Sequence, residues 1–321
     1  MGGTRAVRPP GPWYWTPFEA GWTMRRDPLA FVAALASDYG DIVCLRMGPV
    51  RVFLVHHPDG VKHVLQDNNQ NYVKGPVIGR AKVLIGEGLF TSEGDFWRRQ
   101  RRLAQPAFHR DRIAAFAGVM VRRTAERLTR WEGSAERGEP IDVAAEMNAL
   151  TLTIVGETLF GRDLSGEAAE AGRALRVALE TTAHRTMSYL VPPIWLPTAR
   201  GRAFRRAVRT LDALVYDLVD SRRRAHAPGD DLLGMLMTAR DEETGDGMSR
   251  RQLRDEVMTF LLAGHETTAV ALAWTWYLLA RHPETAEQAR AEVLEVLGDR
   301  TPALEDLPRL PLARMVVEEA M

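Results

Sequence analysis

The chain has 321 residues, 45% of them hydrophobic and 26% charged, a composition ordinary for a globular protein and long enough for one large domain or two. Its 42 basic and 42 acidic side chains cancel, which argues against a polyanionic partner such as nucleic acid. A single cysteine, Cys44, excludes an internal disulfide framework and thiolate metal clusters. The opening MGGTRAVRPPGPWYW has no apolar core of signal-peptide length, and Ala6 stands where an acylation motif needs Ser or Thr. No run reaches the apolar length of a membrane span, so the expectation is a cytoplasmic protein.

Taken in chain order, RPPGPWYWTP reads as an extended lead-in. DPLAFVAALASDYG reads as a helix with Leu29, Val32, Leu35 and Ala36 on one face and Gly40 as its stop. DIVCLRMGPVRVFLVHH follows as two β-rich runs around GP, a hairpin signal, and PDGVKHVLQD as a short helix. Beyond Phe96 the periodicity is almost wholly helical. The expected helices are Phe96–Gln105, Arg110–Gly133, Val143–Leu159, Ser165–Thr186, Arg200–His226, Asp230–Arg240, Ser249–Arg281 and Pro283–Leu297, with a last one starting near Leu310 and still running at Met321. The loops are ERGEP, HAPGDD and DEETGDG, and no repeat or low-complexity linker interrupts them. The fold class is mainly α with a small N-terminal β element.

The stretch FLLAGHETTA, Phe260–Ala269, puts polar groups into the apolar helix from Ser249 to Arg281. That helix is apolar on most sides in its second half, so the expectation is that it crosses the core. Gly264 costs up to about 1 kcal/mol against alanine, which points to something flat or bulky against the backbone. Thr267 lies four residues after Ala263 and can bond its carbonyl, or release it and open the helix into a pocket. Glu266 adds an ionisable group. His265-Glu266 begins a zinc-hydrolase motif, but Ala269 occupies the place of the second histidine. A second pattern lies in FWRRQRRLAQPAF. Trp97 and Arg101, at i and i+4, share a face and offer the N–H donors that a dicarboxylate ligand needs.

AGHETT resembles the oxygen-binding motif of the long central helix in the cytochrome P-450 family, the haem-thiolate monooxygenases; Ala263, Gly264, Glu266, Thr267 and Thr268 all match its A/G-G-x-D/E-T-T/S pattern. PPGP near the start, the hairpin after YGDIV and EEA at the end fall in the family's order. The resemblance implies a single domain over residues 1–321 and haem b as cofactor, with Ala263 and Gly264 over its face, Thr268 beside them, and Trp97 and Arg101 on its propionates. Thr267 would hold dioxygen and a proton-delivering water, and Glu266 would be the acid of the proton relay. It further implies O2 as co-substrate and an apolar small-molecule substrate. Electrons would come indirectly from NAD(P)H through a ferredoxin or flavoprotein reductase, docked on the basic face of Arg98, Arg99 and Arg102. VIGRAKVLIGEGLF would border the substrate pocket. MSYLVPPIWLPTARG, with Tyr189, Leu190, Val191, Ile194 and Trp195, is either a mobile cover over the entrance or a loop tucked on the core.

Two family signatures do not occur in this sequence. VVEEAM supplies the first three places of E-x-x-R, and no glycine-flanked cysteine loop follows. Cys44, in a strand, does not fit the ligand role, so no metal ligand is assigned. The expectation is a chain that ends in mid-helix before its thiolate, with weak haem binding and no turnover by residues 1–321 alone. Two alternatives stand beside the monooxygenase: a peroxide-using haem-thiolate enzyme and a catalytically dead helical scaffold.

Overall fold

The computed structural model describes residues 8–12, 19–47, 50–186, 193–226, 229–241 and 244–321. The chain divides into two compact units, Met1–Gly75 and Pro76–Met321.

The first unit holds α1 (Glu19–Arg26), α2 (Pro28–Tyr39), β1 (Ile42–Met47), β2 (Val50–Val55) and α3 (Pro58–Lys62), which runs into a π turn over His63–Asp67. The two strands pair antiparallel, with Cys44 opposite Phe53. The lead-in runs along β1, where the Cys44 N–H donates to the Pro10 carbonyl at 2.8 Å. A side chain at Gly11 would collide with the Cys44 backbone. Asp27 caps α2, with Pro28 in its first turn. The inward residues of α2 are Phe31 and Leu35, while Leu29 is 83% exposed and Val32 is also outward. The expected face is thus turned: the Phe31 ring has more apolar area to bury than Leu29, and it takes the position against Val43 and Leu45. Helix α1 was not expected, because the proline-rich lead-in masks its start.

The second unit opens with two short helices, α4 (Pro76–Gly79) and α5 (Lys82–Ile85). It continues with α6 (Gly94–Ala104), α7 (Arg110–Glu136), α8 (Val143–Phe160), α9 (Ala168–Thr186) and α10 (Ala199–Ala225). Then come α11 (Leu232–Thr238), α12 (Arg250–Arg281), α13 (Pro283–Leu297) and α14 (Pro311–Ala320). These agree with the expected helices to within a few residues at each end; α4 and α5 are too short for periodicity to reveal.

The core lies where α8, α9, α10 and α12 meet, around Leu152, Leu175, Leu211, Val215, Val257 and Leu261, all fully buried. Each such side chain contributes about 1.5–3 kcal/mol on burial. Asp142 caps α8 and Gly161, at φ 60°, ends it in the left-handed conformation.

Helix α12 has 32 residues, roughly 48 Å at ~1.5 Å each. Ser249 and Gln252 form a reciprocal capping box at its start. At the other end His282 precedes Pro283, and that proline disfavours helical geometry in the residue before it. By length and composition α12 qualifies as a membrane span, contrary to the expectation that no run does. Its charged residues crowd into the first turns and leave the rest nearly uncharged. Its first half is nevertheless packed on all sides within the protein, as a core helix is: Leu253 to Thr259, Leu261 and Leu262 are all buried.

Candidate active site

Burial in α12 runs opposite to the expectation from hydropathy. The apolar second half carries exposed side chains, with Val270, Trp274, Trp276 and Tyr277 each at 42–53% exposure. The change comes within the AGHETT stretch. Ala263, Thr267 and Thr268 are exposed, Gly264 and Glu266 half-buried, and His265 fully buried. Ala263, Thr267, Val270 and Trp274 follow one another at helical spacing, so a single stripe faces outward.

Within that stripe the Thr267 hydroxyl donates to the Ala263 carbonyl at 2.6 Å. The helix is continuous through this point, so of the two states open to Thr267 the structure holds the one in which the hydroxyl bonds the Ala263 carbonyl. Gly264 faces the other way. A Cβ there would lie 3.1 Å from Val155 Cγ2, so its missing side chain is used by α8, and the flat object expected against it is a neighbouring helix. Burial pushes the Glu266 carboxyl above its ordinary value, while the nearby positive charge of Arg176 pulls it back. His265 Nε2 lies 3.0 Å from the Asn148 carbonyl of α8, and burial holds its ring below the usual histidine value.

On α6 the Arg101 guanidinium lies over the Trp97 ring, 5.4 Å from its centre. Arg101 is exposed and forms no ion pair among the described residues. Each of its basic neighbours Arg98, Arg99 and Arg102 has an acidic partner within the protein, while Arg98 and Arg102 stay about half exposed. Arg98 pairs with Asp95 at 2.6 Å. Arg99 and Arg102 both reach the buried Asp241, at 3.2 and 3.5 Å, and Arg99 also donates to the Asp246 carbonyl. Those two arginines fix the loop that leads into α12.

A cluster not anticipated from the sequence lies in the buried half of α12. Three consecutive charged residues grip the segment between α5 and α6. The Arg254 Nη2 donates to the Leu84 carbonyl at 2.9 Å, and the same guanidinium pairs with Asp212 of α10 and with Asp255. Asp255 accepts from the Glu87 N–H at 2.9 Å, and Glu256, 1% exposed, accepts from the Leu89 N–H at 3.1 Å. The approach is close enough to require glycine. A Cβ on Gly86 (φ 66°) would meet the Asp255 carboxylate at 2.1 Å, and one on Gly88 would meet Thr259 Oγ1 at 2.1 Å. The available signal was RDE inside an apolar helix, since charges are rarely buried unless paired.

Ala263, Glu266, Thr267 and Thr268 therefore gather at the middle of α12, and Trp97 and Arg101 pair on α6, whose leading segment the charged cluster ties to α12. Of the loop MSYLVPPIWLPTARG, Tyr189, Leu190 and Val191 lie outside the described residues, Ile194 packs on the core and Trp195 is exposed. Cys44 is a half-buried free thiol in β1. Ala269 is fully buried, and among the described residues no group of three His, Cys, Asp or Glu is placed to hold a metal ion.

Known proteins resemble this chain in sequence and fold. The chain is 42% identical over 301 residues to cyclooctatin synthase of Streptomyces melanosporofaciens, covering 93% of this chain and 64% of that protein. It is 38% identical over 297 residues to cyclooctat-9-en-7-ol 5-monooxygenase of the same organism, covering 92% and 63%. The heme domain of cytochrome P450DA superposes with a TM-score of 0.81 at 28% identity, over 97% of this chain and 69% of that one. The chain thus spans about two thirds or less of the length of these two curated relatives. The sequence model of cytochrome P450 matches residues 9–321, and the chain belongs to that family.

Proposed function

We propose that the complete protein is a cytoplasmic haem-dependent monooxygenase, and that residues 1–321 form part of its one catalytic domain. The observation that carries this reading is the outward stripe of α12, where small Ala263 and the Thr267 hydroxyl stand beside the Glu266 carboxyl. The donor set fits a planar dicarboxylate cofactor. Arg101 offers a guanidinium with no carboxylate partner among the described residues, stacked on an indole, and Ala263 offers a face without bulk. Trp97 and Arg101 would hold the propionates, and Ala263, Thr267 and Thr268 would line one face. Gly264 contributes by letting α8 approach.

When bound, haem supplies the reductive activation of O2. The chain's own residues supply position and protons. Thr267 can exchange its bond to the Ala263 carbonyl for one to a water or to dioxygen, so the hydroxyl is a switchable donor on the exposed side. Glu266, whose raised pKa favours a proton on its carboxyl, hands that proton to the Thr267 side. Over a cycle one oxygen atom enters a C–H bond and the other leaves as water, with two protons taken up by this route. Two electrons would come from NAD(P)H through a ferredoxin or flavoprotein reductase. The substrate we infer is an apolar small molecule, and the relative whose name places oxygen on position 5 of cyclooctat-9-en-7-ol favours an alicyclic one. Thr267→Ala in the complete enzyme is expected to keep electron consumption while product per electron falls; unchanged coupling would count against the role given to Thr267.

A further inference from the structure

His265 is a buried ionisable group that the proposed mechanism leaves unused. Its side chain is fully enclosed, and its Nε2 lies 3.0 Å from the Asn148 carbonyl. A carbonyl only accepts, so Nε2 carries the hydrogen, and burial disfavours a second proton on the ring, which leaves the neutral Nε2–H form. Nδ1 is therefore a bare lone pair. It is buried and, among the described residues, has no hydrogen-bond partner, a costly arrangement in a native protein. The nearest acid is the next residue, with Glu266 Oε2 3.9 Å away.

Three ionisation states of the pair can be weighed. An imidazolium facing a carboxylate needs a proton on Nδ1 within a fully enclosed site, and burial opposes charge there. A carboxylate facing a lone pair sets acceptor against acceptor. A protonated carboxyl facing the lone pair makes a hydrogen bond, after a carboxyl rotation that closes the gap. Arg176 of α9 is the charged group that acts on Glu266 from the opposite sense, favouring the ionised form. From α8 the Asn148 carbonyl accepts from the ring Nε2–H.

We propose that His265 is a positioning residue for Glu266: its Nδ1 receives the carboxyl O–H, so the acid turns to the histidine when protonated and toward Arg176 when ionised. This rests on the reading of Glu266 as proton donor. For delivery the carboxyl turns from Nδ1 to the exposed side, gives its proton to a water or hydroxyl oxygen at Thr267, and the resulting carboxylate turns toward Arg176. Solvent returns a proton through the exposed part of the side chain, about 36% of it, and the carboxyl turns back.

Two variants separate this role from a structural tie. A glutamine amide reaches the place of Nε2 and an asparagine amide the place of Nδ1. His265→Gln therefore keeps the donor to Asn148 and removes the acceptor beside Glu266; His265→Asn does the reverse. The measurement is the infrared C=O stretch of the Glu266 carboxyl followed across pH, its band identified by loss in Glu266→Gln, together with the ring 15N shifts of His265. The expected result is a Nε2–H tautomer with Nδ1 accepting. The band should move to higher frequency and its midpoint downward in His265→Gln, and both should stay near the parent in His265→Asn. An unmoved band and midpoint in folded His265→Gln, or 15N shifts showing a hydrogen on Nδ1, would overturn the proposal. If His265→Gln fails to fold, the 15N spectrum of the parent decides. Unchanged coupling in Glu266→Gln would defeat the proton-donor reading alone, because the band and tautomer test the hydrogen bond independently.

Discussion

The two halves of α12 carry polar residues in different ways. In the first half Arg254, Asp255 and Glu256 are buried, and each is bonded to backbone or to another charge of the protein. In the second half Glu266, Thr267 and Thr268 stand at least partly in the open, beside exposed Val270 and Trp274. The first set is bound into the fold: its hydrogen bonds hold α5, the segment before α6 and Asp212 of α10. The second set keeps capacity in reserve, Thr267 in a bond it can exchange and Glu266 with a carboxyl whose charge is easily removed. One helix thus separates scaffold from chemistry along its axis, and composition alone would have reversed the two, since the more apolar half is the more exposed.

The sharpest way to break this contrast is Arg254→Leu. It strands Asp255 and Asp212 and frees the Leu84 carbonyl, and removing one partner of a buried pair costs about 3–5 kcal/mol. Urea unfolding reads the loss, and a change below about 1 kcal/mol would mean the cluster is not holding the segment. Next in size is Gly264→Leu, expected to cost about 1–3 kcal/mol by overpacking against Val155, with partial recovery in the double variant carrying Val155→Ala.

A pH series sharpens the second half. Because burial raises the Glu266 pKa, the folded state binds this proton more tightly than the unfolded state, and stability falls as pH rises from the ordinary carboxylate range through the folded value. Glu266→Gln is therefore expected to be more stable than the parent at neutral pH, with the difference vanishing in acid; thermal unfolding at several pH values shows the sign. The smallest effect is that of Thr267→Ala on folding. Its hydroxyl lies on an exposed face and bonds a carbonyl already within the helix, so stability should change by less than about 0.5 kcal/mol even where coupling is lost.

How far the site was legible depended on how local its signals are. Thr267 and Ala263, four residues apart, announce their bond in the sequence, and the Trp97–Arg101 stack follows from the same spacing. What fills the space at Gly264 was not legible, because the filler, Val155, comes from another helix and a glycine does not say which neighbour approaches. The same limit hid Asp241, a loop carboxylate that pairs with Arg99 and Arg102. The face of α2 was misread for a different reason: periodicity locates a stripe but does not rank Phe31 above Leu29 for the space available.

The notch at Gly264 bears on how sequences of this kind can be recombined. Val155 seated against a missing side chain works as a key in a slot, and a slide of one residue along the axis, about 1.5 Å, would bring it against Ala263 or His265 instead. A chimaera that takes α8 from one parent and α12 from another therefore inherits both parts of the key or loses the alignment of Glu266 and Thr267 with everything packed behind them. Crossover points placed outside residues 143–281 keep the pair together, and variation intended to change substrate range is best confined to the segments on either side.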